Sequence, residues 1–472
     1  MLFQTTEFLL FFFALIAVLV FARTNKTRKI VFLVFSCFFY MWWNPIFILL
    51  ILFTVSFDYW ISLQIFKSDS TQKKRNWLLL SIIINLSVLA WFKYANFLQD
   101  NIISIASFFD KKPNWTTFNI ILPVGISFYT FEAISYNIDV YRKDLEPPKS
   151  LLDFITFVTF FPKLVAGPIV RPAEFLPQMK EVPKINFNST AIFLILNGLV
   201  KKIVIADNLG IFVDAIYQNA HNYPSILIVI AAVAFSFQIY CDFSGYTDIA
   251  IGIASILGYQ FNTNFNKPYF AISPSDFWKR WHISLSSWLR DYLYKPLGGN
   301  KKGSFFTYRN LMITMLLGGL WHGASWNFMI WGFLHGFIQI IYRLFNIDLI
   351  LEKNKLMKFI SFVLFQIFVI FTWIVFRITN LTQLKFICKK VIFFDFNFSI
   401  ASIGLGKLQF FSTIGIMITF LIVHIISYKI GGLYKYISAR HYTIQIAFLF
   451  IAILLLQIFW PTHEAPFIYF QF

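Results

Sequence analysis

Apolar stretches of near-spanning length recur from one end of this chain to the other. A bilayer core is about 30 Å thick, and a helix needs about 20 apolar residues to cross it. Lipid cannot hydrogen-bond a bare backbone, so each such stretch is expected to fold as helix. Candidate spans fall at roughly 7–22, 30–43, 46–63, 77–97, 118–138, 190–206, 223–240, 243–258, 310–321, 325–344, 357–377, 410–429 and 442–460, which makes about eleven to thirteen. The fold class is therefore all-α, a polytopic membrane bundle. Several runs are short and suit tilted, re-entrant or interior helices.

Composition agrees. Only 13% of the residues are charged and 58% are hydrophobic, too little charge to cover a soluble surface of this size. The net charge of +18 fits basic loops held on the cytoplasmic side, such as "RTNKTRK" and "QKKR". A nucleic-acid partner is not expected, because no basic and aromatic binding motif stands outside the apolar runs. The three cysteines, Cys37, Cys241 and Cys388, are scattered without CxxC spacing and read as apolar filler. The N-terminal run lacks a basic flank and a cleavage pattern, and reads as a retained first span. No linker divides the chain, so residues 1–472 are expected to form a single integral domain.

Three regions break the apolar pattern. "FFPKLVAGPIVRPAEFLPQ" carries four prolines, Pro162, Pro168, Pro172 and Pro177, which forbid a continuous helix. It is either a surface loop or a re-entrant piece lining a cavity, with Lys163 and Arg171 placed to meet phosphate groups. The second region holds Asp242 and Asp248. Carboxylates at membrane depth usually find a partner inside the bundle. Six residues put them about 240° apart on an unbroken helix, which argues against a catalytic dyad. Both suit structural pairing with basic residues, and Gly245 is a candidate break between them. The third, "SPSDFWKRWHISLSSWLRDYLYKPLGG", opens with Ser273 as cap and Pro274 at the first helical position. As one amphipathic helix it would carry Phe277, Trp281, Leu285, Trp288 and Tyr292 on an apolar stripe. Lys279, His282, Ser286 and Arg290 would fall on another face.

Within "LLGGLWHGASW", His322 is flanked by Gly318, Gly319 and Gly323, with Ser325 following. Small residues permit a helix break or a tight seam. An imidazole there is either a general base, kept neutral by desolvation, or a buried histidine bonded to a backbone carbonyl. His335 lies about 220° further round a straight helix and should point away. His282 is the better second candidate. No HExxH, P-loop or nucleophile-elbow motif appears, so no metal is expected.

At this point a resemblance adds to the reading. The chain resembles the membrane-bound O-acyltransferase family, in the branch that O-acetylates alginate and peptidoglycan. "FVTFFPKLVAGPIVRPAEFLPQ", "FQIYCDFSGYTDIAIGIASILGYQFNTNFNKPY", "DFWKRWHISLSSWLRDYLYKPLGG", "LLGGLWHGASWNFMIWGFLHG" and "WIVFRITN" carry it. The family core would span about 110–380. The resemblance implies a ring of helices around a thin central funnel, with His322 catalytic and His282 a second histidine of the branch. Lys279, Ser286, Arg290, Trp321 and Ser325 would line the substrate path.

The C-terminal "FIYFQF", 467–472, is similar to the tail of a small partner in teichoic-acid D-alanylation, where a tyrosine relays the acyl group. Tyr469 is then either a relay or an interfacial anchor. The implied activity is transfer of an acetyl group, from acetyl-CoA as donor, across a bacterial inner membrane to an envelope polysaccharide, peptidoglycan before alginate. No permanently bound cofactor is implied. The implied partners are membrane lipids, the polysaccharide acceptor, and a periplasmic or membrane-tethered SGNH-type acetyltransferase. D-alanyl transfer to teichoic acid is the alternative within the family. A transporter or scaffold without chemistry is the alternative outside it.

Overall fold

The computed structural model describes residues 1–110, 115–181, 184–395, 406–460 and 467–468. Among these every regular element is helical. Six helices are long and apolar enough to cross a membrane, and Thr6–Phe21 and Tyr442–Ile458 are shorter apolar helices. The chain is a multi-pass membrane protein. It packs as two compact units, Met1–Asn186 with Ile253–Asn262, and Phe187–Gly252 with Thr263–Phe472.

In the first unit the entry to Asn25–Met41 is fixed by a reciprocal cap. The Thr24 side chain accepts from the Thr27 amide while the Thr27 hydroxyl accepts from the Thr24 amide. The Ile126–Arg142 helix is buried at fourteen of its seventeen positions and so cannot present a lipid face. Its Asn137 donates to Asp58 at 2.8 Å, and Ser81 and Asn85 donate to the same carboxylate at 2.7 and 2.9 Å. A buried carboxylate met by three donors ties together the helices Phe47–Lys67, Thr71–Phe108 and Ile126–Arg142.

The proline-rich segment resolves into short turns of helix at Phe161–Leu164 and Pro172–Phe175 and a 3-10 stretch at Leu176–Lys180. Every residue from Phe160 to Val170, Pro168 included, is buried, so its core is not a surface loop. Lys163, expected to meet phosphate, instead forms a buried ion pair with Glu132. Glu132 also accepts from the Val170 amide at 3.2 Å. That amide lies in an irregular stretch, and the carboxylate supplies the acceptor that a helix would otherwise give. Arg171 sits half-buried at the N-cap of Pro172–Phe175.

In the second unit two expectations are corrected. The runs at 223–240 and 243–258 are one helix, Ser225–Ile256, and Gly245 does not break it. Gly245 serves close approach instead. A methyl group added there would stand 2.8 Å from the Gly198 carbonyl oxygen, and one at Gly198 would stand 2.5 Å from that of Gly245. The Ser273–Gly299 segment, in turn, is not one helix. It runs as Pro274–Trp278, breaks, resumes at Ile283–Leu289 and ends in a π-helical turn, Arg290–Tyr294. Ser273 caps it as expected, accepting from the Asp276 amide. The break falls at His282, which takes φ 42°, a left-handed conformation that a bulky L residue rarely adopts. Lys279, His282, Ser286 and Arg290 therefore do not share one face.

Candidate active site

His322 is the last residue of Ser304–His322, and Gly323 follows as an extended C-cap. The chain reverses within three residues into Trp326–Leu344, whose N-cap is Ser325. Ser325 Oγ accepts from the Asn327 amide at 3.3 Å, and the Asn327 side chain donates to the Ile378 carbonyl. The turn after His322 is thus pinned to the end of the Lys355–Arg377 helix. The two arms meet at small residues. A methyl group at Gly319 would collide with the Phe328 carbonyl, and one at Gly332 with the Met315 carbonyl. This seam holds the imidazole at a fixed height.

Three aromatic rings stand edge-on to His322, with centroids at 5.1 Å (Trp321), 5.2 Å (Trp331) and 5.2 Å (Phe376). Trp321 also stands 6.0 Å from the ring of His282, so one indole separates the two imidazoles. His282 packs edge-on to Phe243 at 4.7 Å and meets Ser284 Oγ through Nδ1 at 3.3 Å. Its Nε2 has no hydrogen-bond partner among the described residues. His322 keeps 5% of its surface and His282 none, so both histidines are buried in this conformation.

His335 does not point away. The helix breaks between the two histidines, so the angular estimate for a straight helix fails. Trp331 packs against both, 4.6 Å from His335, and His335 Nε2 meets Thr372 Oγ1 at 3.2 Å. His335 is wholly buried.

Around this centre lies a chain of ion pairs. Val200–Ala206 is π-helical within the long Ser189–Gln218 helix, and it carries two successive lysines. Lys201 meets Asp248 at 2.7 Å, and Lys202 meets Asp242 at 2.6 Å and Asp207 at 2.8 Å. The two aspartates face different partners, as their spacing requires. Asp242 has a second duty. Its Oδ2 accepts the backbone N–H of Ile468 at 2.7 Å, in a buried setting. The neighbouring Phe467 ring packs against Phe243 at 5.6 Å and Tyr246 at 5.1 Å. Phe243 is the ring seated on His282, so the C-terminal segment is anchored one side chain from that histidine. Tyr469 itself lies outside the described residues.

The remaining expected residues are less central. Trp321 is buried between the histidines. Ser286 donates to the Trp281 carbonyl at 3.1 Å. Lys279 and Arg290 are exposed, and Arg290 pairs with Asp291 at 3.0 Å. Sequence reasoning missed Lys202, Asp207, Trp331 and Phe376. Two adjacent lysines inside an apolar run, "LVKKIVIA", are the signal for Lys202.

Chemically, the arrangement offers an imidazole in a low-dielectric aromatic cage, where a neutral ring can take a proton from a hydroxyl. The comparisons with known proteins give the family. A profile for the membrane-bound O-acyltransferase family matches residues 70–382. A probable alginate O-acetylase of Azotobacter vinelandii is 41% identical over 81% of this chain and 76% of its own length. A peptidoglycan O-acetyltransferase of Helicobacter pylori is 36% identical over 79% of this chain and 75% of its own. A teichoic acid D-alanyltransferase of Streptococcus thermophilus is 29% identical over 46% of this chain and 56% of its own.

Proposed function

Because the chain belongs to the membrane-bound O-acyltransferase family, we propose that it transfers acetyl groups from a cytoplasmic donor to a hydroxyl of an exported polysaccharide, with His322 as general base. It is an O-acyltransferase on the strength of that family and of its relatives. The observation that carries the site assignment is His322's position, at a helix break and caged by three aromatic rings.

In the proposed reaction acetyl-CoA supplies the acyl group from the cytoplasmic side of a bacterial inner membrane. A hydroxyl oxygen attacks the thioester carbonyl while His322 takes its proton. The C–S bond breaks, and the departing thiolate recovers that proton from the imidazolium. Tyr469 is the hydroxyl we favour for the first step, since Asp242 anchors the segment that precedes it beside Phe243. A hydroxyl of the polymer, or of an SGNH-type partner on the far side, then attacks the acetyl-tyrosine carbonyl; the aryl ester C–O bond breaks and the tyrosine oxygen leaves with the proton that the acceptor hydroxyl gave up. Splitting the transfer in two carries the acetyl group across without its carrier.

Peptidoglycan is the proposed acceptor. Alginate is the second reading, favoured by the 41% identity to an alginate enzyme against 36% to the peptidoglycan enzyme. The likeness to a D-alanyltransferase is weaker and covers less of the chain, which supports acetyl over D-alanyl as cargo. Mild base applied to separated peptidoglycan and exopolysaccharide fractions tests all three. Acetate lost from peptidoglycan on gene deletion supports the first reading, and acetate lost from exopolysaccharide supports the second. Loss of D-alanine with acetate unchanged overturns both.

A further inference from the structure

The second unit holds a cavity of about 520 Å³ that the proposed chemistry does not use. Lys201, Lys267 and Lys435 line it together with a single carboxylate, Asp248. Apolar side chains line it too: Phe420 and Val423 of Lys407–Lys429, and Ile451 and Leu455 of Tyr442–Ile458. His424 belongs to the same lining. Its ring is buried, stacked on Phe270 at 5.3 Å and on Phe420 at 5.1 Å. Its Nε2 lacks a hydrogen-bond partner among the described residues.

The lysines are only partly neutralised. Lys201 is paired with Asp248, and Lys267 donates to the Ser427 carbonyl at 2.6 Å, which carries no formal charge. Burial, together with the nearby charges of Lys201, Lys435 and Arg280, pulls the Lys267 ammonium below its ordinary pKa. Like charges crowd here with two more cations than carboxylates on the wall. A buried imidazole nitrogen without a partner is costly, and native interiors rarely leave one. A volume of this size suits a small-molecule ligand, and a bare phosphate would leave the apolar lining unfilled.

We propose that this cavity binds an anionic glycerophospholipid, its phosphate met by Lys267, Lys435 and His424 Nε2 and its acyl chain laid along Phe420, Ile451 and Leu455. The site lies within the helices that carry the Lys201–Asp248 pair, so an occupant also shields that pair from water.

The test is native mass spectrometry of the full-length protein, purified in detergent with phosphatidylglycerol and phosphatidylcholine in equal amounts. The wild type should retain phosphatidylglycerol preferentially. The Lys267→Gln/Lys435→Gln pair should lose it, at about fivefold per lysine. His424→Phe, which keeps the ring stacking, should lower retention as well. Lys73→Gln, an exposed lysine in the first unit, serves as control and should change nothing. Equal loss in the control, or unchanged retention in the lysine pair, overturns the proposal. So does displacement of the lipid by coenzyme A, which would assign the cavity to the acyl donor.

Discussion

Asp242→Asn is the most informative single change around the C-terminal anchor. The two side chains have nearly the same shape, so packing is preserved. In the wild type the Asp242 carboxylate accepts the Ile468 N–H at 2.7 Å and meets Lys202 at 2.6 Å. A hydrogen bond to a charged group contributes about 1.5–3 kcal/mol, and one between neutral groups about 0.5–1.5. The exchange therefore weakens the anchor by about 1–2 kcal/mol. Lys202 still has Asp207 at 2.8 Å, so it is not stranded and the fold should survive. The docked-to-undocked ratio of the tail should fall by about 5–30-fold. Hydrogen exchange reads this directly: protection at the Ile468 amide should drop by that factor while protection in Ser225–Ile256 stays constant. Acetyl transfer should fall in parallel if the tail carries the relay. Unchanged exchange at Ile468 in a folded variant would refute the anchoring argument.

Other outcomes follow from the same geometry. Gly332→Val should push apart the two helices that meet at Met315, costing about 1–3 kcal/mol; both the unfolding temperature and the transfer rate should fall, and a normal rate would count against the seam as the device that sets His322's height. His282→Phe keeps an aromatic ring beside Phe243 and should leave the unfolding temperature nearly unchanged while slowing transfer at least about tenfold if the imidazole has a chemical role; an unaltered rate would reduce His282 to packing. Lys163→Met strands Glu132 in the interior and should cost about 3–5 kcal/mol, measured by denaturation in detergent. The Lys163→Met/Glu132→Gln double variant removes both charges and keeps an acceptor for the Val170 amide, so it should recover most of that loss; failure to recover would count against the stranded charge as the cause.

The helical class was legible because period and apolar length speak directly to the bilayer, whatever the partners of each helix. The break at His322 was legible too, since Gly318, Gly319 and Gly323 crowd around it. What misled was local geometry set by tertiary contact. Gly245 reads as a breaker in isolation, yet it is the point where Gly198 of another helix must come close. "SPSDFWKRWHISLSSW" has the spacing of one helix, but His282 adopts a positive φ that no spacing rule foresees. The angle that separates His335 from His322 assumes an unbroken helix, and the helix ends at His322. Lys163 reads as a phosphate contact until Glu132, thirty-one residues earlier, is seen to neutralise it. Asp242's grip on Ile468 joins positions 226 residues apart, and only the folded chain shows it.

The central claim is that the His322 imidazole, held in its aromatic cage, takes the proton in acyl transfer. Membranes carrying His322→Ala, with labelled acetyl-CoA and the polysaccharide acceptor supplied together, test it most directly. The account predicts wild-type protein abundance with label absent from both the chain and the polymer. Label reaching the polymer at the wild-type rate would contradict it.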